Sequence, residues 1–211
     1  MLSPWSASLR SRWEPEFWGL YACWPPRSLR IVVDGGNGVA GDPAVQLFRE
    51  AGHEVIPLFC QPDGSFPNRP PNPAVFENLT ALCQAVLGNG ADLGIAFDGD
   101  GDRVVFVDEL GCPVPSEKVL ILFARAALKS SPGGKVVYDQ KCSCVVLESV
   151  LALGGVPVRE KSGHAFIKRT FLQKSAVLAG EISGHFFFPE LGGDDGIYAA
   201  LKMVGMLSAK G

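Results

Sequence analysis

Residues 98–103, DGDGDR, set Asp98, Asp100 and Asp102 two apart with single glycines between them and Arg103 directly after. Carboxylates this close repel one another, and each loses hydration when it is drawn in from water. A divalent cation offsets both costs. A solvated acidic turn is the alternative reading, but the flanking runs IAF (95–97) and VVFV (104–107) read as buried strands, and α/β proteins place ligands outside the carboxyl ends of strands. The triplet also opens like an EF-hand, with Glu109 in the twelfth position. The sixth position of that loop needs glycine and its flanks are helices, whereas here Arg103 stands sixth between strands. In a strand-end loop the glycines let alternate carboxylates converge on one point, with coordination positions left for a phosphate oxygen or water, as Mg²⁺ prefers. Arg103 adds a planar fork suited to phosphate.

A second group lies in AGEISGHFFF (179–188), where Glu181, Ser183 and His185 alternate and can share one side of an extended segment. An acid, a hydroxyl and an imidazole on one face suit vicinal sugar hydroxyls; a strand with incidental polar residues is the other reading. KSGHAFIK (161–168) places Lys161, His164 and Lys168 at a strand-to-helix junction, where amides and cations favour an anion. Lys141 follows the strand KVVYD (135–139) as another cation at a carboxyl end. Together these residues describe a site for a phosphorylated, hydroxyl-rich small molecule. The glycines of GGNGVAG (35–41) fit G-x-G-x-x-G at Gly36, Gly38 and Gly41. A dinucleotide is disfavoured there, because Asp34 would face its pyrophosphate and Glu54 opens the second strand instead of closing it. Close backbone approach is the reading the glycines support.

The elements that must position these groups alternate β-α-β-α-β, which implies a mostly parallel sheet with helices on its faces. LRIVVD (29–34), HEVIPLF (53–59) and ADLGIAFD (91–98) read as strands, with a hairpin-like return over 103–111. Helices are expected over 42–52, with Asp42 as N-cap, over 74–90, and over 116–131 with a serine cap. The pattern restarts after SPGG (131–134): strands over 135–139 and 156–161, a looped strand over 176–188, and helices over 144–155, 164–174 and 196–209. The fold class is therefore two consecutive mixed, mostly parallel α/β/α domains, 29–131 and 132–211. Residues 1–28, which hold all four tryptophans and end near a Pro-Pro breaker, are expected to be a leader outside the fold.

Composition narrows the function. With 211 residues, 47% of them hydrophobic, and a net charge of −3, the chain can bury two cores and presents no general surface for nucleic acid or anionic membrane. Its six cysteines form no zinc spacing, and no apolar run approaches the roughly 18 residues of a membrane span. A reduced, cytoplasmic enzyme fits.

DGDGDR (98–103), GEISGH (180–185) and DDGIYAALKM (194–203), in this order, resemble the α-D-phosphohexomutases, the phosphomannomutase/phosphoglucomutase enzymes. VVDGGNGVAG (32–41), DGSFPNRPPNP (63–73) and GHAFIK (163–168) are similar to the bacterial pattern, so the resemblance covers about 29–209. It implies a four-domain enzyme in which a phosphoserine on the first domain exchanges phosphoryl groups with a hexose phosphate through a hexose bisphosphate. By the same resemblance Mg²⁺ is held by Asp98, Asp100 and Asp102. Arg103 and His185 are catalytic, His185 as a proton-transfer group, and Lys141, His164, Glu181 and Ser183 bind the hexose phosphate. No T-A-S-H-N-P-type serine loop occurs in the sequence. The chain is therefore expected to correspond to domains two and three and to be inactive by itself; a non-catalytic module binding sugar phosphate and Mg²⁺ is the alternative. Arg69 stands where the family pattern has histidine, a change expected to matter little.

Overall fold

In the computed structural model residues 27–209 are described; the expected leader, with its tryptophans, lies outside the described residues up to 26. RIVVD makes the interior strand β1 (Arg30–Asp34), buried from its second residue onward. It pairs in parallel with β2 (Glu54–Leu58) and β3 (Leu93–Phe97). β4 (Val104–Val107) then runs antiparallel to β3, and β5 (Pro113–Val114) closes the order β2-β1-β3-β4-β5. The side-chain period of two explains why both faces are apolar. Ile31, Val33, Ile95 and Phe97 join one cluster with α1 (Gly41–Glu50), while Val32, Ala96, Val105 and Val107 meet α2 (Thr80–Asn89) on the other face.

Three helix starts differ from expectation. α1 begins at Gly41 with no side-chain cap, so Asp42 sits inside the first turn and acts on the helix dipole instead. The single helix expected over 74–90 is a 3₁₀ turn, Phe76–Leu79, followed by α2. Thr80 donates its hydroxyl to Glu77 O at the junction (2.9 Å), and Leu79 is fully buried beneath the sheet. Ser116 likewise opens α3 (Ser116–Ser130) from inside the helix, behind Pro115.

The second half repeats the first. β6 (Lys135–Asp139) pairs in parallel with β7 (Val156–Glu160) and β8 (Leu178–Gly180), and β9 (Phe186–Phe188) and β10 (Gly193–Asp194) add antiparallel strands. The order β7-β6-β8-β9-β10 has the same connectivity and strand senses as β2-β1-β3-β4-β5. α4 (Cys144–Ala152) and α5 (His164–Gln173) follow β6 and β7 as α1 and α2 follow β1 and β2, and α6 (Gly196–Ser208) follows β10 as α3 follows β5. The aspartate loop (β3 to β4) and the EISGH loop (β8 to β9) thus occupy the same topological position in two tandem units.

The last helix of each unit packs on the other. α3 lies against β8 and α4, with Phe123 edge-on to Phe186 and Phe188 at 5.1 and 5.6 Å. α6 returns to β4 of the first sheet while Tyr198 stacks on Phe188 at 5.1 Å. One apolar cluster therefore runs through both units and holds their sheets together. Among the described residues the cysteines are free thiols; burial pushes Cys60 up to about 11 and Cys142 to about 12, so both stay protonated.

Candidate functional site

The glycine-rich turn after β1 is the bed of the aspartate loop. A β-carbon on Gly38 would lie 2.6 Å from Asp98 O and 2.7 Å from Gly99 O, and the Val39 amide donates to Gly99 O at 3.1 Å. The Pro-rich segment 60–73 forms the other wall: Phe66 lies against Gly99, and Asn72 Oδ1 accepts from Arg103 Nη1 at 3.3 Å. Close backbone packing is what these glycines serve here.

Within the loop Asp98 is buried, with Oδ1 accepting the amides of Gly101 (2.9 Å) and Arg103 (3.2 Å) and Oδ2 accepting Arg103 Nε (2.6 Å). Gly101 at φ +82° makes the curl possible. One oxygen from each of Asp98, Asp100 and Asp102 lies within 4.8 Å of the others. Burial first, then the charges of Asp98 and Asp100, pushes the Asp102 carboxyl up to about 7. Such crowding is what a divalent cation relieves, and the three carboxylates fit one.

The second loop meets the first across the units. Val104 donates its amide to Gly184 O (3.1 Å), and a β-carbon on Gly184 would lie 2.9 Å from Val104 O. His185 Nε2 stands 3.2 Å from Asp102 Oδ1, and its Nδ1 stands 3.2 Å from Ser183 Oγ. Ser183 gives its only proton to Glu181 Oε2 (2.9 Å). His185 thus bridges Ser183 through Nδ1 and Asp102 through Nε2. Burial pushes the His185 imidazole down to about 4, which keeps it neutral. Burial also raises Glu181, whose Oε1 is buried without a hydrogen-bond partner.

His164, the first residue of α5, bonds Asp194 Oδ1 at 3.0 Å and lies 5.1 Å, ring to ring, from His185. Lys168 lies beside Gly193, next to Asp194. Lys141 is exposed at the carboxyl end of β6, its amide on Asp139 Oδ1 (2.9 Å). Lys161 is drawn aside over the Phe166 ring at 3.6 Å. The structure thus brings Asp98, Asp100, Asp102, Arg103, Glu181, Ser183, His185 and His164 into one contiguous cluster. Three partners were not singled out as site residues from the sequence: Asp194 and Asn72, although both lie in motifs that carry the resemblance, and Asp139, which also accepts Ser162 Oγ at 2.5 Å.

A tandem pair of α/β units of the same topology, with an acidic loop of one facing a Glu-Ser-His loop of the other, defines a two-unit α/β protein with one shared loop cluster. The family model for phosphoglucomutase/phosphomannomutase α/β/α domain II matches residues 20–111, and that for domain III matches 115–211. The chain belongs to the phosphoglucomutase/phosphomannomutase family. The two matches meet just before α3, the helix that packs on the second sheet. The phosphomannomutase/phosphoglucomutase of Pseudomonas aeruginosa is 45% identical over 184 residues, covering 86% of this chain and 40% of that protein. A phosphoglucomutase of Neisseria gonorrhoeae is 42% identical over 185 residues, covering 87% and 40%. A crystal structure of a phosphoglucomutase/phosphomannomutase family protein from Burkholderia thailandensis superimposes with a TM-score of 0.87 at 38% identity, over 93% of this chain and 43% of that one. The chain thus spans about 40% of the length of the curated relatives it matches.

Proposed function

We propose that these residues form the metal-binding and sugar-binding part of a Mg²⁺-dependent site that interconverts hexose 1-phosphate and hexose 6-phosphate. The observation that carries this reading is the contact between His185 and Asp102, which sets the hydroxyl-binding loop against the acidic loop. Asp98, Asp100 and Asp102 would hold the cation, which when bound supplies charge neutralisation and polarisation of a phosphoryl oxygen. Arg103, held by Asp98 and Asn72 through Nε and Nη1, keeps Nη2 for a phosphoryl oxygen. Glu181 Oε1 accepts a sugar hydroxyl, and the Ser183 hydroxyl beside it fixes the ring's orientation. His185 Nε2, neutral and facing the acidic loop, takes a proton from the hydroxyl that receives the phosphoryl group and returns it in the reverse direction. His164, Lys141 and Lys168 line the side where the sugar's own phosphate is held.

The test is isothermal titration of the 211-residue chain with Mg²⁺ and with glucose 1-phosphate. Saturable binding of both is expected, with Asp100→Ala removing the Mg²⁺ response and Glu181→Ala removing the sugar response. Wild-type protein that binds neither overturns the reading.

A further inference from the structure

Arg69 is 4% exposed and Asp34 is fully buried, with Arg69 Nε donating to Asp34 Oδ2 at 2.7 Å. The guanidinium does more than neutralise. Its Nη2 donates to Phe97 O at 2.8 Å, and its Nη1 donates to Pro70 O at 3.1 Å. Phe97 is the last residue of β3, and Asp98 begins the aspartate loop. Asp34 in turn anchors the glycine turn, its Oδ1 accepting the Gly36 amide at 2.8 Å. Gly36, at φ +51°, would put a β-carbon 2.5 Å from the guanidinium carbon, so the glycine is what makes room for the arginine. One planar fork therefore ties together the end of β1, the end of β3 and the Pro-rich segment, directly behind the carboxylates.

The geometry points to Arg69 as a positioning residue for the cation site: by holding the Phe97 carbonyl it fixes where Asp98 leaves the strand, and with it the convergence of the three carboxylates. This inference rests on the metal reading above. A lysine at 69 keeps the charge opposite Asp34 but has no fork to span both Asp34 and Phe97 O. Loss of a group that orients metal ligands weakens affinity by about 10- to 100-fold.

The test uses Mn²⁺ as probe, with free ion read by electron paramagnetic resonance. Arg69→Lys is expected to stay folded by circular dichroism and to bind Mn²⁺ about tenfold more weakly or worse. Val150→Ala, a core truncation on α4 remote from the loop, lowers the thermal midpoint without changing Mn²⁺ affinity. Wild-type affinity in Arg69→Lys, or equal weakening in Val150→Ala, overturns the inference while leaving the metal reading intact. Wild-type protein that binds no Mn²⁺ overturns both. A second measurement needs no variant: the buried Arg69 Nε–H resonance should shift on Mg²⁺ titration with the same midpoint as the Gly101 and Arg103 amides. An Arg69 signal that stays fixed while those amides move overturns the inference.

Discussion

His185 Nε2 lies 3.2 Å from Asp102 Oδ1 across 83 residues of chain, and this contact joins the equivalent loops of the two units. It depends on Gly184, at φ +100°, letting the second loop close on Val104 of the first. Gly184→Ala must adopt a backbone conformation that alanine disfavours and must also push Val104 O away. We expect a loss of about 1–3 kcal/mol in stability, with weaker glucose 1-phosphate binding. Chemical denaturation and calorimetry on the same sample check both.

Removal of one carboxylate tests the cation site. At a Mg²⁺ concentration 100-fold above its dissociation constant, binding stabilises the folded chain by about 2.7 kcal/mol. For a chain of this size that is a rise in thermal midpoint of about 5–10 °C. Asp100 is exposed, so Asp100→Ala should leave the metal-free midpoint nearly unchanged and abolish the rise. A Mg²⁺-induced rise that persists in Asp100→Ala would place the ion elsewhere.

The pH dependence follows from Asp102. Its carboxyl is pushed up to about 7 from the usual 3.8, so the folded, metal-free chain holds a proton that the unfolded chain has already lost. That proton favours the folded state at low pH, and the contribution falls away as pH rises from about 4 to about 7. Mg²⁺ must displace the same proton. Its affinity should therefore rise with pH up to about 7 and level off above, with proton release on binding below that point. Titrations at pH 5.5, 6.5, 7.5 and 8.5 in buffers of different ionisation enthalpy measure both. Affinity independent of pH across this range would show that Asp102 is ionised throughout.

How much of this was legible in the sequence varies with the range of the interaction. Continuous apolar runs placed β1 and β3 correctly, because a strand with helices on both faces is apolar on both faces. The aspartate loop and the Glu-Ser-His segment were legible because residues two apart converge by local geometry alone. The contact between the two loops was not, since it depends on how two units pack. The packing of α3 on the second sheet and of α6 on the first was also hidden: an apolar helix face does not say which sheet it meets. Arg69 read as a small departure from an expected histidine, whereas in space it joins Asp34 and Phe97 O, 35 and 28 residues away.

Truncation inside the shared core tests that packing. Phe123 is 3% exposed and stacks edge-on to two phenylalanines of β9. Phe123→Ala should cost about 3–5 kcal/mol and should unfold both units in one transition, because α3 belongs to the continuous cluster. Two separate transitions in calorimetry, only one of them shifted, would show that the units fold independently.

The 211-residue polypeptide expressed by itself should bind Mg²⁺ and a hexose phosphate and show no mutase turnover. Its matches are to domains II and III, and the phosphoserine implied by the family resemblance has no matching motif in the sequence. Ser183 is hydrogen-bonded to Glu181 and faces His185 Nδ1, so its hydroxyl is already engaged within the site. Phosphoryl transfer draws its rate from positioning and charge stabilisation of donor and acceptor together, so ligands bound without a donor group should stay unchanged. Incubation with Mg²⁺, glucose 1-phosphate and a catalytic amount of glucose 1,6-bisphosphate, followed by a glucose 6-phosphate assay, is the measurement. Turnover that disappears in Asp100→Ala would show that these 211 residues already hold a phosphoryl carrier.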